Sequence, residues 1–567
     1  MEAKTILAIL NTTSLSPNIS SYSILYTMRI LFPHRWLILA LLIAAFAGRF
    51  LLTTSHFYTH DDMQVFRVNE YVQCLKDGQL PCRWSASLGK GYGYPLFNFY
   101  PPLIYLIPSL LHLIGLPIIL SLNLMMFASF LLAAWGMYLL GTALAQSSSL
   151  GFLASALYTL YPFHAINVFV RGVYAENLAW SIFPMILYLI FEQSRRNIQS
   201  RPLPFLLAII YLTHLIGAVI ITPMIILWSL YFRSLTRLLT QILLGMGMAS
   251  FFLLPALAEK SLVQTQSMIN GYYSFTNHYV SFYQLFGQYR WSYDASLWSA
   301  APDEMPYMVG HIHTALLGIA IGAIIFLAYR NSKKLILAGC MLSAASILLF
   351  LSHFKADFIW QIIPPLAYIQ FPWRFIAWAA LPLTLGITLL LSLLPNKLSY
   401  SLTLITIFSL LIYSSPFFRP REYDLLTDSD IIAGKERNEQ QVKSLYDYLP
   451  QTVKVIPEDY PSYSPTSIRT SNSYQDTIDL TEPTIASLPI FYYPGWKAKV
   501  NGLSQDITSH PQSGLITLSL KPGLNNILLH FDNTPLRSFA NLLSLLSLAL
   551  SILYVILNSN GQKHKAH

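Results

Sequence analysis

Two adjacent carboxylates, Asp61 and Asp62, stand in the stretch "THDDMQVF", directly after an apolar run from Trp36 to Leu52. Neighbouring like charges repel, and a carboxylate near lipid is costly to keep ionised. The pair suits a general base, or a group that positions a metal or a phosphate. The plain alternative is a solvated loop start, where Asp caps the following helix. A third acid, Glu176, follows Arg171 in "VRGVYAENLAW", and Arg374 lies in "QFPWRF". An arginine fork matches phosphate with two parallel hydrogen bonds, although it also snorkels beside an aromatic such as Trp373 without further meaning. Transfer of a sugar to a hydroxyl calls for this combination. A carboxylate takes the acceptor proton and steadies the developing oxocarbenium charge, while cations neutralise a phosphate.

The catalytic candidates are therefore Asp61, Asp62 and Glu176. The substrate-binding candidates are His60, Arg171, Tyr174, His214 and Arg374. His214, in "LTHLIG", either satisfies backbone groups at a helix end or lines a cavity. Glu259 and Lys260, just past "FFLLPAL", are expected to pair with each other. The three cysteines, Cys74, Cys82 and Cys340, lack metal-type spacing, so no metal site is expected from them. Cys74 and Cys82 either form a disulfide across the turn at Gly78 or remain thiols. A divalent metal cofactor is allowed by the carboxylates but not required.

The elements that position these groups follow from composition. Of 567 residues, 54% are hydrophobic and 11% charged, against roughly 25% charged in ordinary soluble domains, which excludes a soluble enzyme. The net charge of +9 comes from basic residues at the ends of apolar runs, a pattern of membrane orientation and not of nucleic-acid binding. Candidate spans are 36–54, 118–143, 149–164, 177–194, 203–232, 236–258, 310–329, 335–352, 375–394, 398–415 and 536–557. Basic residues mark cytoplasmic ends, and parity holds if 203–232 is two short helices meeting near His214 and 103–116 lies along the interface. This predicts about twelve crossings in the plasma membrane, with both termini cytoplasmic. Residues 1–28 are expected to be a poorly ordered extension, with Met28 an alternative start.

Parity then places 55–117, 259–309, 353–374 and 416–535 outside. The first of these loops carries an amphipathic helix in "VFRVNEYVQCLKDG", an aromatic turn in "GKGYGYPLFNFYPP" and the apolar "LIYLIPSLLHLIG". Such a loop can hold a lipid tail and a sugar, or serve only as an interfacial aromatic belt. The segment 416–535 opens with the helix-like "DSDIIAGKERNEQQVKSLYDYL". It continues with strands in "IASLPIFYY", "WKAKV", "GLITLSL" and "NNILLHF", separated by Pro-Gly and Asn-Gly turns. It reads as a small β-sandwich.

The order of "HDDMQVF", "GYGYPLFNFYPPLIYL", "RGVYAENLA", "FFLLPALAEK", "NGYYSFTNHYV" and "IPPLAYIQFPWRF" resembles the GT-C superfamily of membrane glycosyltransferases. Within it, the chain is similar to the group labelled "6-pyruvoyl-tetrahydropterin synthase-related". The tail, from "FYYPGWKAKVNG" to "TPLRSFANLLSLLSL", resembles YfhO-like membrane proteins. Together the matches cover most of residues 55–550. No His-based zinc constellation supports the pterin-synthase part of the label. The resemblance implies a mainly α, polytopic fold, with 29–415 as the transmembrane domain, 416–535 as the extracytoplasmic domain and 536–567 as a last helix and tail. It also implies that Asp61 is the first-loop catalytic acid and Glu176 the second acidic site. Asp62 occupies a position that is often apolar in the group. The expected partners are a polyprenyl-phosphate sugar donor, an envelope glycan or lipid acceptor, and membrane lipids. The rival reading is a non-catalytic membrane protein for transport or assembly of envelope glycopolymers. Spans nearly free of charge and the lack of an internal repeat weigh against transport. Deleting 420–530 is expected to leave an enzyme some transfer and an assembly factor none.

Overall fold

The computed structural model describes residues 34–563 except 289, 295, 297–304, 328, 330, 331 and 444. The expected N-terminal extension and Met28 lie outside the described residues. The chain is mainly helical. Six helices among the described residues are long and apolar enough to cross a bilayer: Ile118–Ala145, Tyr174–Arg196, Lys333–Leu351, Arg374–Leu391, Asn396–Ser414 and Pro535–Asn558. Two further apolar runs are bent pairs. Ser148–Thr159 turns by 50° into Pro162–Arg171, and Leu235–Met248 turns by 75° into Ser250–Ala258. The first bend falls where Pro162 begins a new helix, as a residue without an N–H does without loss.

The run 203–232 is divided as its polar centre predicts. Helix Leu203–Thr213 stops at His214, whose backbone is extended, and Leu215–Tyr231 restarts beyond it. The ring does the restarting, because its Nδ1 accepts the Gly217 N–H at 2.9 Å. Arg374–Leu391 is the most enclosed of the long helices and packs chiefly against Lys333–Leu351.

The first loop turns at Asp61–Met63 into helix Gln64–Lys76, which Gly78 terminates. The structure joins Cys74 to Cys82 across that turn, with Cα atoms 5.9 Å apart. A second helix, Leu103–Leu113, is too short to span a bilayer and packs against Gln64–Lys76.

Near the C-terminus lie two antiparallel sheets. Strands are β1 (Ile468–Arg469), β2 (Ser473–Leu480), β3 (Thr484–Phe491), β4 (Trp496–Val500), β5 (Leu503–Gln505), β6 (Thr508–Ser509), β7 (Leu515–Leu520) and β8 (Gly523–Phe531). One sheet has the order β1-β2-β8-β4-β5, the other β3-β7-β6. The four strands read from hydrophobic alternation are β3, β4, β7 and β8. In β8 the alternation puts Ile527, Leu529 and Phe531 inside. Strand β2, "SYQDTIDL", carries too few apolar residues to be noticed, yet it pairs with β8 along its whole length. Among the described residues, the helix-like run before the sheets forms Asp428–Ile432 and Arg437–Val442, separated around Gly434.

Glu259 does not pair with Lys260. It is buried, and its carboxylate accepts Arg537 Nη2 at 2.9 Å, Asn98 Nδ2 at 2.7 Å and the Tyr493 hydroxyl at 2.9 Å. Lys260 instead lies 4.0 Å from the centre of the Tyr368 ring. A buried carboxylate needs a fully desolvated partner and several donors, which a neighbour at the surface cannot provide. Arg83 extends the network to Asn98, Asn533, Asn541 and the Phe251 carbonyl. The first loop, the sheets and the last helix thus meet on one ion pair. Glu259→Ala strands the fully buried Arg537, and we expect a loss of about 3–5 kcal/mol, read as a lowered unfolding midpoint in detergent. An unchanged midpoint would refute that role.

Candidate functional site

Two loops far apart in sequence are laced together by their backbones. The His60 N–H donates to the Val170 carbonyl at 3.0 Å, and the Asp61 N–H to the Arg171 carbonyl at 2.9 Å. So close an approach requires Gly172, at φ +70°, where a Cβ would sit 2.2 Å from Thr59 Oγ1. Just beyond, Glu176 occupies the first turn of Tyr174–Arg196, where the helix dipole favours an anion.

Glu176 is 1% exposed and serves two arginines through one oxygen. Its Oε2 lies 3.2 Å from Arg171 Nη2 and 3.5 Å from Arg374 Nε. The second contact is an ion pair without hydrogen-bond geometry, since Arg374 Nε has no hydrogen-bond partner. Arg171 also donates to Asn167 Oδ1 at 2.6 Å, and its guanidinium stacks 4.3 Å from the Trp373 ring centre. Arg374 Nη1 donates to the Ile369 carbonyl at 2.8 Å.

In front of this pair opens a cavity of about 440 Å³, a volume typical of ligand sites. Asp61, His60, Arg67, Arg171, His214 and Arg374 all line it. Its walls are aromatic: Tyr100, Tyr272, Tyr273, Phe371, Trp373 and Tyr448. Asp61 keeps part of its surface open to the cavity while protein crowds it on all other sides. Burial raises its pKa, and the charges of Arg171, Arg67, Arg374 and His60 pull the other way without cancelling the rise. Burial pulls His60 downward, and its Nε2 lies 3.1 Å from the Tyr293 carbonyl. His214 combines both roles considered for it: Nδ1 caps the helix and the ring faces the cavity. With Nδ1 accepting, a neutral ring carries its proton on Nε2.

Not every candidate is at the cavity. Asp62 does not line it, and Lys443 Nζ donates to both of its oxygens at 2.8 and 2.7 Å. The repulsion between the neighbouring acids is thereby relieved. Tyr174 faces a separate space of about 20 Å³, shared with Asp61 and Asp62, which is room for a water and not for a sugar. Glu176 stands behind the arginines, outside the lining.

Sequence reasoning missed Arg67, Asp447 and Tyr448, which all line the cavity. The signal for Arg67 was an arginine among apolar neighbours in "VFRVNE". Nothing local marks Asp447 and Tyr448. Their presence, with Lys443 on Asp62, means that deleting 420–530 would breach the cavity, so that deletion cannot separate an enzyme from an assembly factor. Among the described residues no three His, Cys, Asp or Glu side chains converge as a metal-binding group. The guanidinium groups around Asp61 repel a divalent cation, so the site fits such a metal poorly.

Comparison with known proteins places the chain. A search of curated proteins finds no match. A solved structure, the cryo-EM structure of the arabinofuranosyltransferase AftD from mycobacteria, aligns at 16% identity with a TM-score of 0.44, covering 69% of this chain and 27% of that one. The chain thus spans about a quarter of that protein's length. The family model described as "6-pyruvoyl-tetrahydropterin synthase related domain; membrane protein" matches residues 97–420. That match takes in more than half of the sequence, including both arginines and Glu176, and the chain accordingly belongs to the 6-pyruvoyl-tetrahydropterin synthase-related family of membrane proteins.

Proposed function

We propose that the protein is a GT-C-type glycosyltransferase that moves a sugar from a polyprenyl-phosphate donor to a cell-envelope acceptor on the outer face of the membrane. The observation that carries this reading is one cavity holding a proton-accepting carboxylate, Asp61, three arginines and aromatic walls. The acceptor hydroxyl oxygen bonds to the anomeric carbon as the bond from that carbon to the phosphate oxygen breaks. The hydroxyl proton passes to Asp61, and the leaving lipid phosphate keeps the electron pair. Arg171 and Arg374, held in place by Glu176, offset its charge. Glu176 and Asp62 are positioning groups here, since each is already committed to cations. Tyrosine and tryptophan faces suit a sugar ring, and His60 and His214 offer polar contacts beside it.

In this reading the chain crosses the membrane about twelve times, both termini are cytoplasmic, and the two sheets form an outer sandwich. The short helix Leu103–Leu113 then lies along the outer leaflet and guides the prenyl chain.

Three outcomes are expected. Asp61→Asn lowers glycan transfer by about a hundredfold to ten-thousandfold while the protein still folds and reaches the membrane; undiminished transfer would remove the mechanism. The carboxylate must be ionised to accept a proton, and its folded pKa is raised. Transfer therefore fails as pH falls through that raised value, and the acid limb of the pH–rate profile lies above about 4, where an exposed aspartate titrates. A limb at or below that point would disprove the assignment. Finally, Ser504→Cys in a Cys340→Ser background reacts with an impermeant maleimide added to intact cells; labelling only after lysis would invert the topology.

A further inference from the structure

Arg67 is 3% exposed, yet among the described residues no carboxylate lies within ion-pair distance of it. Its one side-chain hydrogen bond among those residues runs from Nη1 to the Tyr105 hydroxyl, at 3.3 Å. That hydroxyl is neutral and itself donates to Gln64 Oε1 at 3.2 Å. The guanidinium carbon stands 4.9 Å from the Tyr100 ring centre, which steadies the cation without neutralising it. Nε is buried without any partner. Burying a charge in this state is costly, and proteins accept the cost where a ligand completes the pairing.

The unused edge has a definite shape. Nε–H and the adjacent Nη2–H point in parallel, which is the side-on fork that grips two oxygens of a phosphate or carboxylate. Arg171 and Arg374 are differently placed, because Glu176 already draws on both. Among the three cavity arginines, Arg67 is therefore the one that no carboxylate already holds in the ion pairs of the described residues.

We infer that the Arg67 guanidinium is the principal seat for the phosphate of a lipid-linked ligand in this cavity, with Arg171 and Arg374 as secondary contacts. The lipid identity rests on the proposed function; the anion seat itself does not. Helix Gln64–Lys76 carries the arginine from the same turn that presents Asp61, so phosphate and base are set by one rigid element.

The test uses the full-length protein in detergent, with farnesyl phosphate, farnesol of the same chain length, and inorganic phosphate as probes. The wild type is expected to prefer farnesyl phosphate to farnesol. Arg67→Gln weakens farnesyl phosphate binding about tenfold or more and leaves farnesol binding unchanged, whereas Arg67→Lys recovers part of the loss, a point charge replacing a fork. Without ligand, Arg67→Gln melts no lower than the wild type, since the substitution strands no ion-paired carboxylate. Wild-type affinity of Arg67→Gln for farnesyl phosphate overturns the inference, as does a large drop in its unliganded melting point, which would make Arg67 structural. Inorganic phosphate binding as tightly as farnesyl phosphate keeps the anion seat and overturns the lipid as its source. Arg67-dependent binding in a wild type that transfers no sugar sinks the glycosyltransferase reading alone.

Discussion

Two arginines cannot share one corner of a membrane protein unless something holds them there, and Glu176 is that something. At the first turn of its helix it is favoured by the dipole, it is almost fully buried, and a single oxygen faces both guanidinium groups. One further nitrogen of each is held, Arg171 Nη1 by Asn167 and Arg374 Nη1 by the Ile369 carbonyl, while Trp373 and Phe371 cover the flat faces. The cations are thus fixed before any ligand arrives. Preorganisation of this kind is where an electrostatic site gains over water, which must reorient around each new charge.

The same constraint explains the unusual backbone nearby. A carboxylate such as Asp61 is useful beside those cations only if its loop is pinned to theirs, and the two backbone hydrogen bonds across Gly172 do this. Farther out, the Lys443–Asp62 pair ties the same loop to the C-terminal third of the chain, and Asn98 of that loop joins the Glu259–Arg537 pair by donating to the Glu259 carboxylate. The sheets therefore act as a brace for the first loop and are not a separate appendage. Trp84 from that loop packs 5.5 Å from Trp496 and 5.3 Å from Phe531, ring centre to ring centre.

What could be seen in the chain beforehand was whatever announces itself locally. An acid just after an apolar run, an arginine on the side where the positive-inside trend does not put one, and a histidine inside a thirty-residue apolar stretch are anomalies, and Asp61, Arg171 and His214 stand out that way. The partners were invisible because they come from elsewhere: Lys443 is 381 residues from Asp62, and Arg537 is 278 from Glu259. Nearness in sequence misled in the case of Lys260. Strand β2 escaped notice for another reason, since Asp476 interrupts the inward face that Tyr474, Ile478 and Leu480 share. Arg67 lay in plain view, but an arginine on an amphipathic helix ordinarily faces water, and only its burial at the cavity reverses that expectation.

The balance around Asp61 has a consequence for the proposed chemistry. Its proton affinity is set by burial, which raises it, against three arginines and His60, which lower it. A phosphate seated among those arginines cancels much of their field, and the field was what kept the carboxylate a weaker base. Donor binding should then raise the proton affinity of Asp61 at the moment when a hydroxyl proton has to be accepted. Before the donor arrives, the same arginines limit the rise in proton affinity that burial alone would impose on the carboxylate. One set of cations would first restrain the base and then, once occupied, strengthen it. This ordering needs no movement of the backbone, only the arrival of a negative charge at a site already built to receive it.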